Sequence, residues 1–125
     1  MIIAVSIIGV ALGGFLGGMA RAGLSRLIPH HYGTLAANLI ACAVLGLAIG
    51  LIQQQSLGMV FAYFTFTMGF AGGMSTWSTF AAELGEMLKG KKYWEFAKYL
   101  LLTLSLGIVF AWRGNLWAAS ALAQF

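Results

Sequence analysis

The stretch FAGGMSTWSTF, Phe70–Phe80, decides how this chain folds. It lies inside an uncharged apolar run from Leu57 to Ala82, long enough to cross a bilayer. Near the centre of that run stand Gly72 and Gly73, followed by the hydroxyls of Ser75, Thr76, Ser78 and Thr79. Paired glycines are weak helix material, and serine and threonine compete for backbone hydrogen bonds. Unpaired backbone groups in hydrocarbon cost several kcal/mol each, so unwound backbone survives there only against protein or a wet cavity. Two readings follow. One is a glycine kink whose hydroxyls bond back to their own helix. The other, favoured by the second glycine and the clustered hydroxyls, is a helix broken between about Gly72 and Thr76, with its half-helix ends facing an ion. Carbonyls ending the first half would attract a cation, and amides opening the second an anion.

Outward from this stretch the chain is apolar throughout. Its 125 residues are 61% hydrophobic, with seven basic and three acidic side chains. So few charges cannot clothe a small soluble domain, much of whose surface stays wet. The class is therefore integral membrane protein. Three further runs have spanning length: Ile2 to Ala20, Thr34 to Ile52, and roughly Tyr93 to Trp112. The expected fold is all-α, with four transmembrane helices, the third broken, in a single domain over residues 1–125. Trp94, Trp112 and Trp117 suit interfacial anchoring. The N-terminal run lacks a basic leader and exceeds a signal-peptide core, so a retained helix is expected. Cys42, the sole cysteine, excludes a disulfide framework.

Glycines recur four apart at Gly9/Gly13/Gly17, Gly14/Gly18, Gly46/Gly50 and Gly69/Gly73. That spacing lines one helix face with small residues and predicts close helix packing. Asn38, Tyr99, Thr103 and Ser105 are among the few other polar residues within the second and fourth runs. Neutral amide, hydroxyl and phenol donors suit a narrow track that replaces an anion's hydration shell. Each alone serves equally well as interhelical glue. No catalytic constellation, Cys/His metal spacing or phosphate-binding glycine loop is present, so enzymatic activity is not expected. His30 and His31, in a loop after Pro29, read as interfacial residues.

These residues resemble the Fluc (CrcB) fluoride channel family over nearly the whole chain. The resemblance rests on GGFLGGMAR, on GTLAANLIACAVLG with its asparagine, and on GFAGGMSTWSTFAAE, close to the family's GxxGGxTTFSTFxxE. Tyr99 and Thr103 match a Tyr-x-x-x-Ser/Thr on the fourth helix. The resemblance implies a passive fluoride channel, assembled as an antiparallel, dual-topology dimer in the bacterial inner membrane. It also implies a structural sodium held at the dimer centre by the backbone carbonyls of Gly72 and Ser75. The fluoride pathway would comprise Asn38, Trp77, Ser78, Thr79, Phe80, Tyr99 and Thr103, with Arg21 and Glu83 at its vestibules. Trp77 stands where the family has phenylalanine, Ser75 where it has threonine, and Gly107 where a further hydroxyl is expected.

A small multidrug-type transporter is disfavoured because the first run holds no acidic residue. A partner or structural subunit of a heteromeric channel is the stronger rival. Arg21, Arg26, Lys89, Lys91, Lys92 and Lys98 fall on one side of the expected topology, and Arg113 alone on the other. The positive-inside rule then gives a single orientation, with both termini outside. Such a chain would pair with an oppositely oriented paralog.

Overall fold

A computed structural model describes residues 1–29, 31–54 and 59–123. Five helices form, in the order α1 (Ile2–Leu27), α2 (His31–Gln54), α3 (Met59–Met74), α4 (Trp77–Lys89) and α5 (Tyr93–Ala123). There is no strand among the described residues. Helices α1, α2 and α5 are each long and apolar enough to cross a membrane. The third run is divided: α3 stops at Met74 and α4 starts at Trp77, leaving Ser75 and Thr76 outside any helix. Neither piece alone reaches the ~20 residues of a full crossing. The helix is thus broken at the place the glycines and hydroxyls mark.

Close packing follows the glycine spacing. Helix α1 packs most extensively on α3, and α2 on α5. A Cβ at Gly13 would land on the Phe66 carbonyl, and one at Gly17 on the Phe70 carbonyl. From the other side, a Cβ at Gly69 would meet the Val10 carbonyl, and one at Gly73 the Gly14 carbonyl. The two helices therefore touch backbone to backbone, which dispersion rewards and a side chain would forbid. In the second pair, Gly46 lies against the Ala111 carbonyl and Gly114 against that of Ala43. Gly18 meets nothing within 4 Å, so the Gly14/Gly18 pair is not a seam within this chain.

Helix α5 runs well past Trp112, where the apolar run ends. The reason is its second half's small face: Ala111, Gly114 and Ala118 continue along Ala43, Gly46 and Gly50 of α2. At 31 residues it is about 46 Å long, more than a hydrocarbon core requires. Trp94, Trp112 and Trp117 are all exposed on it.

Helix α4 differs from the others in being strongly amphipathic. It buries Phe80 and Met87, two turns apart, against Tyr99, Leu35, Phe96 and Leu100. Its C-terminus closes with a double bond pattern in which Lys91 N–H meets Leu88 O at 3.1 Å and Lys92 N–H meets Met87 O at 2.9 Å. Lys91 takes the left-handed conformation there, φ 56°, a position usually given to glycine.

Candidate functional site

The break is built by side chains that replace helical hydrogen bonds. In a continuous helix the Thr76 N–H would bond the Gly72 carbonyl, and the Thr79 N–H the Ser75 carbonyl. Both donors are diverted. Asn38, from α2, accepts the Thr76 N–H on Oδ1 at 2.8 Å and returns a longer bond from Nδ2 to the Thr76 carbonyl at 3.4 Å. Thr76 caps α4, its Oγ1 accepting from the Thr79 N–H at 3.2 Å. Thr79 Oγ1 lies 2.9 Å from the same hydroxyl. Such a cap satisfies one of the donors left open at a helix start.

The carbonyls so released lie on an exposed surface. Gly72 and Ser75 are both exposed, and a Cβ on Gly72 would meet nothing within 4 Å. Their remaining contacts are long: Ser75 Oγ donates to Gly72 O at 3.4 Å, and Arg21 Nη1 donates to Ser75 O at 3.4 Å. Oxygens at the negative end of α3, one already drawing a guanidinium, fit a small hard cation such as sodium. Two carbonyls would fill only part of such an ion's coordination shell. Arg21 thus reaches the break itself.

Beyond the break lies a cavity of about 420 Å³, lined by Asn38, Cys42, Trp77, Phe80, Thr103 and Gly107 among others. The Thr103 hydroxyl is buried without a hydrogen-bond partner, alone in this among the described side chains. Phe80 is 1% exposed and Trp77 74%, their ring centroids 5.5 Å apart. Beside Gly107, where a hydroxyl was expected, stands the thiol of Cys42: a Cβ on Gly107 would lie 3.4 Å from its sulfur. The cavity wall is otherwise mostly apolar, with few donors, all neutral.

Tyr99 is buried beneath this cavity. Its ring meets Phe80 edge-on at 5.2 Å, and its hydroxyl donates to Glu83 Oε2 at 2.6 Å. The other carboxylate oxygen, Oε1, accepts from Thr34 at 2.7 Å. Glu83 also lines a separate polar cleft of about 610 Å³ with His31, Tyr32, Glu86, Lys92 and Glu95. One carboxylate therefore joins the polar cleft to the aromatic stack of Tyr99 and Phe80.

Of the sequence-predicted residues, Asn38, Ser75, Trp77, Phe80 and Thr103 share the first cavity. Ser78 is exposed and outside its lining, and Thr79 turns its hydroxyl to Thr76. Thr34 was missed, and Thr76, whose hydroxyl helped mark the break, was given no place in the site. Thr34 stands one turn before Asn38 on the same face of α2, and Thr76 three residues before Thr79. Both spacings were available signals. His31 is more than interfacial, since its carbonyl accepts from Tyr99 at 3.3 Å and its ring lies 4.7 Å from the Tyr99 ring.

Apolar spanning helices, one of them broken in its middle beside a largely apolar cavity with a few neutral donors, define a small multi-pass membrane protein. The comparisons agree. The family model described as CrcB-like protein, Camphor Resistance (CrcB), matches residues 8–115, and the chain belongs to that family. It is 37% identical over 107 residues to the fluoride-specific ion channel FluC of Desulfotalea psychrophila, covering 82% of this chain and 83% of that one. It is 38% identical over 99 residues to the fluoride-specific ion channel FluC 2 of Corynebacterium diphtheriae, covering 79% and 88%. The FluC of Nautilia profundicola is 33% identical over 115 residues, covering 87% and 90%. These relatives are named as channels, not enzymes.

Proposed function

We propose that this chain forms a passive fluoride channel that exports F⁻ from the bacterial cytoplasm across the inner membrane. The observation that carries the reading is the cavity beside the break, where the unpartnered Thr103 hydroxyl, the Asn38 amide and the Trp77 and Phe80 rings converge. A buried anion needs its lost hydration replaced. Neutral donors and the positive edges of aromatic rings supply that without trapping the ion as a fixed cation would. The names of the relatives select fluoride among anions.

Asn38, Trp77, Phe80 and Thr103 then line the path. Tyr99, Thr34 and Glu83 hold its inner wall, and Ser78 and Thr79 complete its polar edge towards a second, antiparallel chain. The Gly72 and Ser75 carbonyls hold a structural sodium with their counterparts, and that ion supplies fixed positive charge at the dimer centre. Hydrogen fluoride enters cells as a neutral molecule and dissociates inside. The membrane potential drives the anion out through such a pore, with no ATP or redox cofactor. Expression in a bacterial strain lacking its own fluoride exporter tests this: growth on fluoride should recover, and recovery should fail with Phe80→Ile. Unrestored growth by well-expressed wild-type protein would oppose the reading.

The six-to-one distribution of basic residues favours a second form of the same function. Helices α1, α4 and α5 gather Arg21, Arg26, Lys89 and Lys98 at one end, while Arg113 stands near the other end of α5. A chain so biased inserts one way, and its antiparallel partner is then a paralog of opposite bias. Trp77, bulkier than phenylalanine, suits a pair of non-equivalent pores.

A further inference from the structure

We propose that Asn38 and Thr76 are positioning residues for the cation site, acting by withholding two backbone donors from it. This rests on the sodium reading above. Of the carbonyls at the end of α3, Gly72 and Ser75 are the two assigned to the cation. Their helical partners would be the Thr76 and Thr79 N–H groups. Asn38 Oδ1 holds the first at 2.8 Å, and Thr76 Oγ1 holds the second at 3.2 Å. The two diversions match the two carbonyls one for one.

The consequence is specific. Without the Asn38 acceptor, the cheapest partner for the Thr76 N–H is the Gly72 carbonyl, because a donor left unpaired in a desolvated break costs more than re-forming the turn. Re-formation would bury that oxygen inside a helix and withdraw it from a cation. Losing the Thr76 hydroxyl does the same to Ser75 O through the Thr79 N–H. With its amide partner engaged elsewhere, Ser75 O accepts only a long 3.4 Å bond from the Arg21 guanidinium, so it still points out of the helix at a positively charged partner. What Asn38 contributes is thus an acceptor oxygen, and its neutral charge is secondary for the cation. Since Asn38 also lines the cavity assigned to fluoride, one side chain couples the two ions.

The test is the thermal unfolding midpoint of the full-length protein in detergent, in sodium chloride against N-methyl-D-glucamine chloride. Wild-type protein should unfold at a higher temperature in sodium. Asn38→Leu, of similar size with no acceptor, should lose that shift. Asn38→Asp, which keeps an acceptor oxygen, should retain it. Thr76→Val should also lose it and carries the same test if Asn38→Leu does not fold. An equal sodium shift in wild type, Asn38→Leu and Thr76→Val would overturn the inference and leave the cation site standing. No shift in the wild type would remove the cation site, and this inference with it.

Discussion

Removing the Tyr99 hydroxyl should loosen the inner wall of the site by a calculable amount. In Tyr99→Phe the ring stays against Phe80, but Glu83 Oε2 loses a 2.6 Å donor. Hydrogen bonds to charged groups contribute about 1.5–3 kcal/mol. Glu83 is only half-buried and borders the polar cleft, so water replaces part of that bond, and about 1.5–2 kcal/mol is expected. Thr34→Val removes the 2.7 Å donor to Oε1 and should cost about 1–2 kcal/mol by the same reasoning. Both hydroxyls serve one carboxylate. Once either is gone, the carboxylate can turn towards the cleft, and the second loss costs less. The double variant should therefore cost at least about 0.5 kcal/mol less than the two singles together. Equilibrium unfolding of the purified protein in mixed micelles, run as a double-mutant cycle, measures this. Single losses below about 0.5 kcal/mol, or additivity within about 0.3 kcal/mol, would refute the shared-carboxylate arrangement.

Gly13→Ala should prevent α1 from seating on α3 and leave little folded protein, because its Cβ has no room beside the Phe66 carbonyl. Gly85→Ala, with nothing within 4 Å, should instead stabilise α4 by up to about 1 kcal/mol; equal outcomes in a membrane-fraction expression and unfolding comparison would contradict the packing account. Lys91→Gly should raise the unfolding midpoint by relieving a left-handed residue that costs about 1 kcal/mol, and a lower midpoint would contradict that reading of the turn. In a Cys42→Ala background, a cysteine at Gln53 should label from one membrane face only when the chain is expressed alone at low level. Equal labelling from both faces would establish dual orientation and remove the basis for a paralogous partner.

Much of the fold was legible because its determinants are local. Four apolar runs, paired glycines and hydroxyls in FAGGMSTWSTF, and glycines four apart fixed the crossings, the break and the seams. The end of α5 was not legible, since Arg113 and Asn115 interrupt the apolar pattern while the small face of Ala111, Gly114 and Ala118 keeps it on α2. The site was legible as a set of residue types and less so as an arrangement. Asn38 reads in sequence as an anion donor, yet it is also the clamp on Thr76 across 38 positions of chain. That pairing depends on how α2 packs against α3 and α4. The same holds for Thr34 and Tyr99, brought to Glu83 from two other helices.

Fluoride efflux from liposomes carrying this chain is the most direct test of the central claim, that the cavity beside the broken helix passes fluoride. Vesicles loaded with potassium fluoride and made permeable to potassium with valinomycin should release fluoride, alone or with an oppositely biased paralog, while matched vesicles loaded with potassium chloride retain chloride. Phe80→Ile, which removes the buried ring edge, should slow release at least about tenfold, equivalent to about 1.4 kcal/mol in the barrier. Release no faster than from protein-free vesicles in both reconstitutions, or release unchanged by Phe80→Ile, would contradict the account.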